Sequence, residues 1–435
     1  MADIRELRRL MRQLEDQLVV CMRCGMCQAV CPVFAQTGRE ADVARGKLVL
    51  LDGLMQEMLN DPEAVRERLQ RCLLCGSCAA NCPSGVNVLD IFLKARAILA
   101  GYLGLSPLKK AVFRRLLAHP QTLDRVVEFG AVFQKLFTRP VNEIVGTSCA
   151  RFASPLLADR HFRILAAVPL HRRCPSLNTP AGASGLKVGF FVGCLIDKIF
   201  PSAAEAALRV LEHHGVGVFL PETQGCCGIP AVSSGDTRTF NELVRYHLDK
   251  FDSAEFDVLV TCCATCTSTI KKIWPSLCSE DLTARAAALA ARTMDISQFL
   301  VQRVKASAAP VPSAAGRIVT FHDSCHLKKS LGVSAEPRDL IRANPGYTLK
   351  EMAGADDCCG MGGSFNLEHY GLSARIGRLK RDSIASTGCS VVATGCPACM
   401  LQISDMLSQA GDRIAVKHPI EIFAESFFGT SPKKD

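Results

Sequence analysis

Apolar positions along the chain follow two patterns, and the change from one to the other divides it. Residues 1–20, "MADIRELRRLMRQLEDQLVV", carry charges throughout and read as an amphipathic helix. "GREADVARGKLVLLDGLM" and "DPEAVRERLQR" also look helical. In "SPLKKAVFRRLLA", Ser106 can cap, Pro107 suits the first turn, and Leu108, Val112 and Leu116 share a face. "TLDRVVEFGAVFQKLF" repeats this through Leu123, Val127, Gly130 and Phe133. After the Pro/Gly/Ser/Asn stretch "CPSLNTPAGASG" the pattern changes. "KVGFFVGC", "VLVTCCATC", "RIVTFHDSC" and "VVATGCPAC" are short apolar strands ending on cysteine, with helical stretches such as "SAAEAALRVLEHHG" between them. These readings predict an α+β multidomain chain with four parts. Residues 1–100 form a helical domain, 101–185 a basic helical linker, and 186–310 and 311–435 two α/β units.

Composition sharpens this picture at one residue type. The 435 residues are 48% hydrophobic and 21% charged, as expected of a globular chain with several cores. Cysteine is the outlier, at 23 residues. The amino terminus lacks the apolar core of a secretion signal, and no apolar run is long enough to span a bilayer. A reducing, cytoplasmic setting is expected, in which such cysteines are metal ligands rather than disulfides. The formal charge of +9 is local: residues 94 to 173 hold fourteen Lys/Arg against four Asp/Glu. That segment, interleaved with Phe113, Phe129, Phe133, Phe137, Phe152 and Phe162, is expected to be a docking surface, with the inner face of the cell membrane as one partner. No nucleic-acid partner is expected.

The cysteine spacing is specific. "CMRCGMCQAVCP" and "CLLCGSCAANCP" each read C-x2-C-x2-C-x3-C-P, the bacterial ferredoxin signature. Three thiolates two residues apart can turn onto one cubane, while the fourth is carried away and, with two motifs, usually serves the other cluster. The expected sets are Cys21, Cys24, Cys27 and Cys82 for one 4Fe–4S cluster, and Cys72, Cys75, Cys78 and Cys31 for the second. Zinc is the competing reading of paired C-x2-C, and two full copies closed by proline weigh against it. The long gap between motifs points to an α-helical ferredoxin domain.

The second half repeats itself. Cys194, Cys226, Cys227, Cys263 and Cys266 return as Cys325, Cys358, Cys359, Cys396 and Cys399, in register to within two residues. This pattern resembles the cysteine-rich CCG domain found in heterodisulfide reductases. With the tandem ferredoxin motifs, "CPSGV" and "ARGKL", nearly the whole chain resembles the iron–sulfur subunits of glycolate oxidase and its lactate-oxidising relatives. The resemblance implies two Rossmann-like CCG domains, whose two five-cysteine sets are candidates to hold one or two further, noncubane 4Fe–4S clusters. It also implies an FAD-containing 2-hydroxy-acid oxidase or dehydrogenase subunit as partner, and a quinone or another carrier as acceptor. The chain would then be the electron-transfer subunit of a glycolate or lactate oxidoreductase, with no catalytic residue of its own. The alternative is a heterodisulfide-reductase-like thiol–disulfide oxidoreductase.

Outside these sets, Cys149, Cys174, Cys262, Cys278 and Cys389 read as small buried hydrophobes, with Cys262 also placed to replace Cys263 as a ligand. His322 and His326 flank Cys325 and could hydrogen-bond cluster sulfur. "GMGGS" lacks the strand-to-helix setting of a nucleotide loop. Asp357, the glycines after Cys359 and the two histidines lead to the expectation that the second copy is the terminal, partner-facing site.

Overall fold

The computed structural model describes residues 4–152, 159–306 and 316–429; the boundary expected at residues 310 and 311 lies outside them. Helices α1 (Ile4–Met11), α2 (Ala44–Met55), α3 (Pro62–Gln70) and α4 (Val88–Leu103) surround the two amino-terminal cysteine loops. Pro62 sits in the first turn of α3, and the Asp61 carboxylate caps it by accepting from the Ala64 amide at 2.9 Å. Helix α4 buries Ile91, Phe92, Ala95 and Leu99, one helical stripe, against Leu7, Leu48 and Leu51. Full burial of side chains such as Phe92 and Leu99 stabilises by about 1.5–3 kcal/mol each.

Helix α5 (Pro120–Phe137) turns its polar residues inward. Buried Asp124 pairs with Lys198 at 2.7 Å. Glu128 pairs with Arg172 at 2.6 Å and His171 at 2.8 Å. The Arg172 guanidinium, with His171, holds the Glu128 carboxyl down to about 2. Gln134 clasps the Leu165 backbone, donating to its carbonyl at 2.9 Å and accepting from its amide at 2.8 Å. Outward, Phe129, Val132 and Leu136 are 68%, 74% and 68% exposed. The expected face through Leu123, Val127 and Gly130 is only half-buried, and Phe133 is exposed. In the preceding segment Leu108 and Val112 are exposed, and Phe113 is buried in their place.

Residues 101–185 are not helical throughout. Strands β1 (Thr138–Asn142), β2 (Thr147–Ala150) and β3 (Phe162–Arg163) form an antiparallel sheet. It is tied to the carboxyl-terminal half by Thr147 and Ser408, whose hydroxyls lie 2.6 Å apart. These strands are short and carry no clear alternation, so local pattern does not reveal them.

Two sheets follow. The first contains β4 (Leu177–Asn178), β5 (Lys187–Phe191), β6 (Gly217–Leu220), β7 (Val258–Thr261) and β8 (Thr293–Asp295), in the order β4-β6-β5-β7-β8. Only β4 is antiparallel. The second contains β9 (Arg317–Phe321), β10 (Tyr347–Leu349), β11 (Val391–Ala393) and β12 (Ala415–Lys417), in the order β10-β9-β11-β12, all parallel. Setting β4 aside, the two sheets share one topology. β6 and β7 are buried on both faces, as a parallel sheet covered by helices requires. One apolar core runs through both units; helix Pro201–His213 of the first meets helix Pro419–Phe428 of the second, with the rings of His213 and Phe427 4.5 Å apart.

Candidate metal centres

The two ferredoxin-type loops take the same backbone path. Arg23 and Leu74, each just before the second cysteine of its motif, have φ of 57° and 54°. Gly25 and Gly76, just after it, have φ of 87° and 72°. Two non-glycine residues held left-handed at matched positions mark a constrained loop rather than chance. Amides turn onto sulfur: Leu74 N–H donates to Cys72 at 3.4 Å and Phe34 N–H to Cys31 at 3.5 Å. Cys31 lies near Cys72 and Cys75, and joins Cys75 in one apolar cluster with Cys325 and Cys358.

In each α/β unit the cysteines gather at the carboxyl ends of the parallel strands, where open sheets place ligands. Cys194 and Cys325 follow β5 and β9; Cys263 and Cys396 follow β7 and β11. The glycine of each Cys-Cys-Gly turn has no alternative. Gly228 and Gly360 have φ of 91° and 90°, and a Cβ would stand 2.8 Å from the Phe240 ring or 2.5 Å from the Ser373 carbonyl oxygen. That turn lets Gly360 N–H reach Cys358 sulfur at 3.4 Å.

The thiols form one continuous file. Cys194 touches Cys226, which touches Cys227; Cys227 meets Cys266, and Cys266 meets Cys263. Cys263 crosses to Cys396 in the second unit. Cys396 meets Cys399, which lies 3.3 Å from Cys359. Cys359 meets Cys358, and Cys325 and Cys358 both meet Cys75 of the ferredoxin-type domain. Along the file the thiols of the second unit therefore stand between those of the amino-terminal domain and those of the first unit, although the first unit also touches that domain directly through Arg96 and Ser233. This overturns the expectation that the second copy is the terminal site. The five thiols of the second unit are buried, whereas Cys194 at the far end of the file is half-buried and Cys24 of the first ferredoxin-type loop is exposed.

Cations line the file. Lys47 is buried near Cys31 and Cys72, donates to the Asp42 carbonyl, and burial pushes its ammonium below the usual lysine range. Arg96 is buried with backbone carbonyls as its acceptors: Ser233 at 2.8 Å, Cys72 at 2.9 Å, and Leu69. Each such charged hydrogen bond contributes about 1.5–3 kcal/mol. Among the described residues no carboxylate pairs with Arg96. Lys329 donates to Ser77 Oγ at 2.7 Å and the Asp356 carbonyl at 2.8 Å, joining the amino-terminal domain to the second unit. Buried cations without full carboxylate compensation, beside unpaired soft thiols and inward amides, are what an anionic iron–sulfur cluster requires. The donor sets fit that group.

Lys47, Arg96 and Lys329 were not singled out by sequence, since nothing local separates them from surface cations; only "ARGKL" contains one of them. Trp274, whose indole donates to the Cys227 carbonyl at 2.9 Å, was missed likewise. Cys262 is fully buried and burial pushes its thiol up; its charged neighbours are Asp295 and Glu421, not the file. His247 is held down to about 4 by burial, and accepts from the Gly225 amide at 3.1 Å.

Comparisons with known proteins agree with this arrangement. A 4Fe-4S dicluster domain model matches residues 17–86, and a cysteine-rich domain model matches residues 188–271 and 319–404. The chain is 28% identical over 433 residues to a probable glycolate oxidase iron-sulfur subunit of Bacillus subtilis, covering 95% of each chain. It is 32% identical over 242 residues to lactate utilization protein A of an Exiguobacterium species, spanning 97% of that protein and 55% of this one. A fumarate reductase (CoM/CoB) subunit of Methanothermobacter marburgensis is 28% identical, across 90% of this chain and 68% of that one. A solved structure of a hypothetical protein from Helicobacter pylori shares the fold at a TM-score of 0.53 and 11% identity, over 100% of this chain and 78% of that one. Dicluster domain, doubled cysteine-rich domain and full-length likeness together show that the chain belongs to the glycolate oxidase and lactate utilization family of iron–sulfur subunits.

Proposed function

We propose that this chain carries electrons from an FAD-containing glycolate or lactate dehydrogenase subunit to a quinone or another carrier. The file of thiols from Cys75 to Cys194 carries the reading: it is buried along its middle, with exposed Cys24 in the neighbouring ferredoxin-type loop and half-buried Cys194 at the far end. Bound iron–sulfur clusters supply one-electron redox chemistry; the hydroxy acid's hydride goes to the flavin of the partner. Cys21, Cys24, Cys27 and Cys82 would hold one cubane, and Cys72, Cys75, Cys78 and Cys31 the second, with Cys31 beside Cys72 and Cys75 in support of the crossed assignment. Cys325, Cys358, Cys359, Cys396 and Cys399, then Cys194, Cys226, Cys227, Cys263 and Cys266, would hold two more. The protein's part is to fix these sets in order, exclude water from the middle, and supply Lys47, Arg96 and Lys329 against their negative charge. Stopped-flow absorbance tests this. The isolated chain should stay oxidised with glycolate or lactate and bleach only when the flavoprotein is added; bleaching by substrate alone contradicts it.

The outlet supports a peripheral site on an anionic lipid surface. Asp197 and Lys198, on the short helix that Cys194 begins, are tied to α5 through Lys198–Asp124, and Gly225 beside Cys226 abuts Pro120. The outward stripe of α5 therefore lies at the Cys194 end of the file. Its apolar residues Phe129, Val132 and Leu136 span about 10 Å of a helix about 27 Å long. Arg125 and Lys135 are exposed on this helix and no exposed residue of it is acidic. Among the described residues no helix is long and apolar enough to cross a membrane. The protein should float with vesicles of phosphatidylcholine plus phosphatidylglycerol, less so as salt rises, and not with phosphatidylcholine alone. F129S/L136S should reduce flotation roughly tenfold or more. Binding that ignores lipid charge and salt rejects the lipid partner; loss of flavoprotein binding in that variant assigns the stripe to the flavoprotein.

A further inference from the structure

His322 stands at the carboxyl end of β9, three residues before Cys325, and is fully buried. Its Nδ1 lies 3.2 Å from the Ala355 carbonyl oxygen. A carbonyl only accepts, so Nδ1 carries a proton and Nε2 is the nitrogen turned toward the thiols. That Nε2 is buried with no hydrogen bond of good geometry, and its polar neighbour is the Cys359 thiol. A buried polar atom without a well-formed hydrogen bond calls for an occupant. The imidazole, Cys359 and Cys399 bring one donor atom each to within 4.8 Å of one another. An imidazole fixed by an Nδ1–H to carbonyl bond and open at Nε2 is the form that binds metal.

The first unit supplies an internal control. Three residues before Cys194 stands Phe191, the counterpart of His322. Its ring lines the same place: a Cβ on Gly193 would meet both Cys266 sulfur, at 3.0 Å, and the Phe191 ring, at 3.6 Å. Cys266 is the counterpart of Cys399. At matched positions one unit offers a nitrogen lone pair and the other a hydrocarbon ring.

We propose that His322 Nε2 is a metal ligand of the second cysteine-rich site, beside Cys359 and Cys399, while the first site is ligated by thiolates alone. The inference rests on the reading that these sites hold metal. The two copies are then chemically distinct despite equal cysteine sets.

The test uses the full chain, isolated anaerobically, with histidine labelled by nitrogen-15. Pulsed electron paramagnetic resonance of the reduced protein should show a strongly coupled nitrogen that responds to the label. His322→Phe, which copies the first unit, should abolish that coupling and leave the spectrum of the first site unchanged. His322→Gln guards against misfolding of the phenylalanine variant and should also lose it. If zinc occupies the second site, X-ray absorption at the zinc edge should lose one nitrogen scatterer in the same variants. A metal at the second site with no strongly coupled nitrogen in the wild type, or coupling that survives both substitutions, overturns the ligand assignment alone. Wild-type protein with no metal at Cys359 and Cys399 overturns the metal-site reading and the ligand assignment together.

Discussion

Cys359→Ser should stop electrons before the first cysteine-rich unit. With the flavoprotein as reductant, rapid-freeze spectra of this variant should show the two ferredoxin-type sites reduced and the first-unit site oxidised. Acceptor reduction should fall by more than about 100-fold, because loss of a ligand exceeds the effect of losing an outer partner. Cys227→Ser should also end delivery to the acceptor, yet leave the second-unit site reducible. The order of the thiols decides this. Cys75 touches Cys325 and Cys358, while Cys263 reaches Cys396 from the far side, so the second unit is the middle of the file. Cys359 lies inside it, in contact with Cys358 and Cys399. Reduction of the first-unit site in Cys359→Ser at the wild-type rate would show that electrons do not take this route.

The sequence reads this order the other way, for a physical reason. Asp357 and the glycines after Cys359 suggest an approachable, partner-facing copy. In the structure those glycines are approached by the protein itself: a Cβ on Gly362 would stand 2.5 Å from the Leu73 side chain, in the second ferredoxin-type loop. Lys329 reaches Ser77 across 252 residues of chain. Contacts of such separation leave no local signature. What local spacing does encode is legible. The two C-x2-C-x2-C-x3-C loops, the five-cysteine register and the apolar strands all stand where pattern places them. Helix α5 lies between these cases. Its existence follows from periodicity, but not which of its two apolar stripes is left outside. That was decided by Asp124 and Glu128 finding Lys198, His171 and Arg172 on the inner side. The added strand β4 and the β1–β3 sheet are held by pairing with distant segments, and two-residue strands such as β3 and β4 carry too few positions to show a period.

Four thiol sets, eighteen cysteines in all, stand ready for four clusters if the proposed function holds. All four sets offer soft donors with no disulfide between them, and the second ferredoxin-type loop and the second unit add inward amides, those of Leu74 and Gly360, and the cations Lys47, Arg96 and Lys329. Protein isolated without oxygen should contain about sixteen iron atoms and as many acid-labile sulfides per chain, with broad brown absorbance that bleaches on reduction. About eight would confine iron to the ferredoxin-type domain and break the file at Cys75. Zinc with no visible absorbance would contradict the account outright.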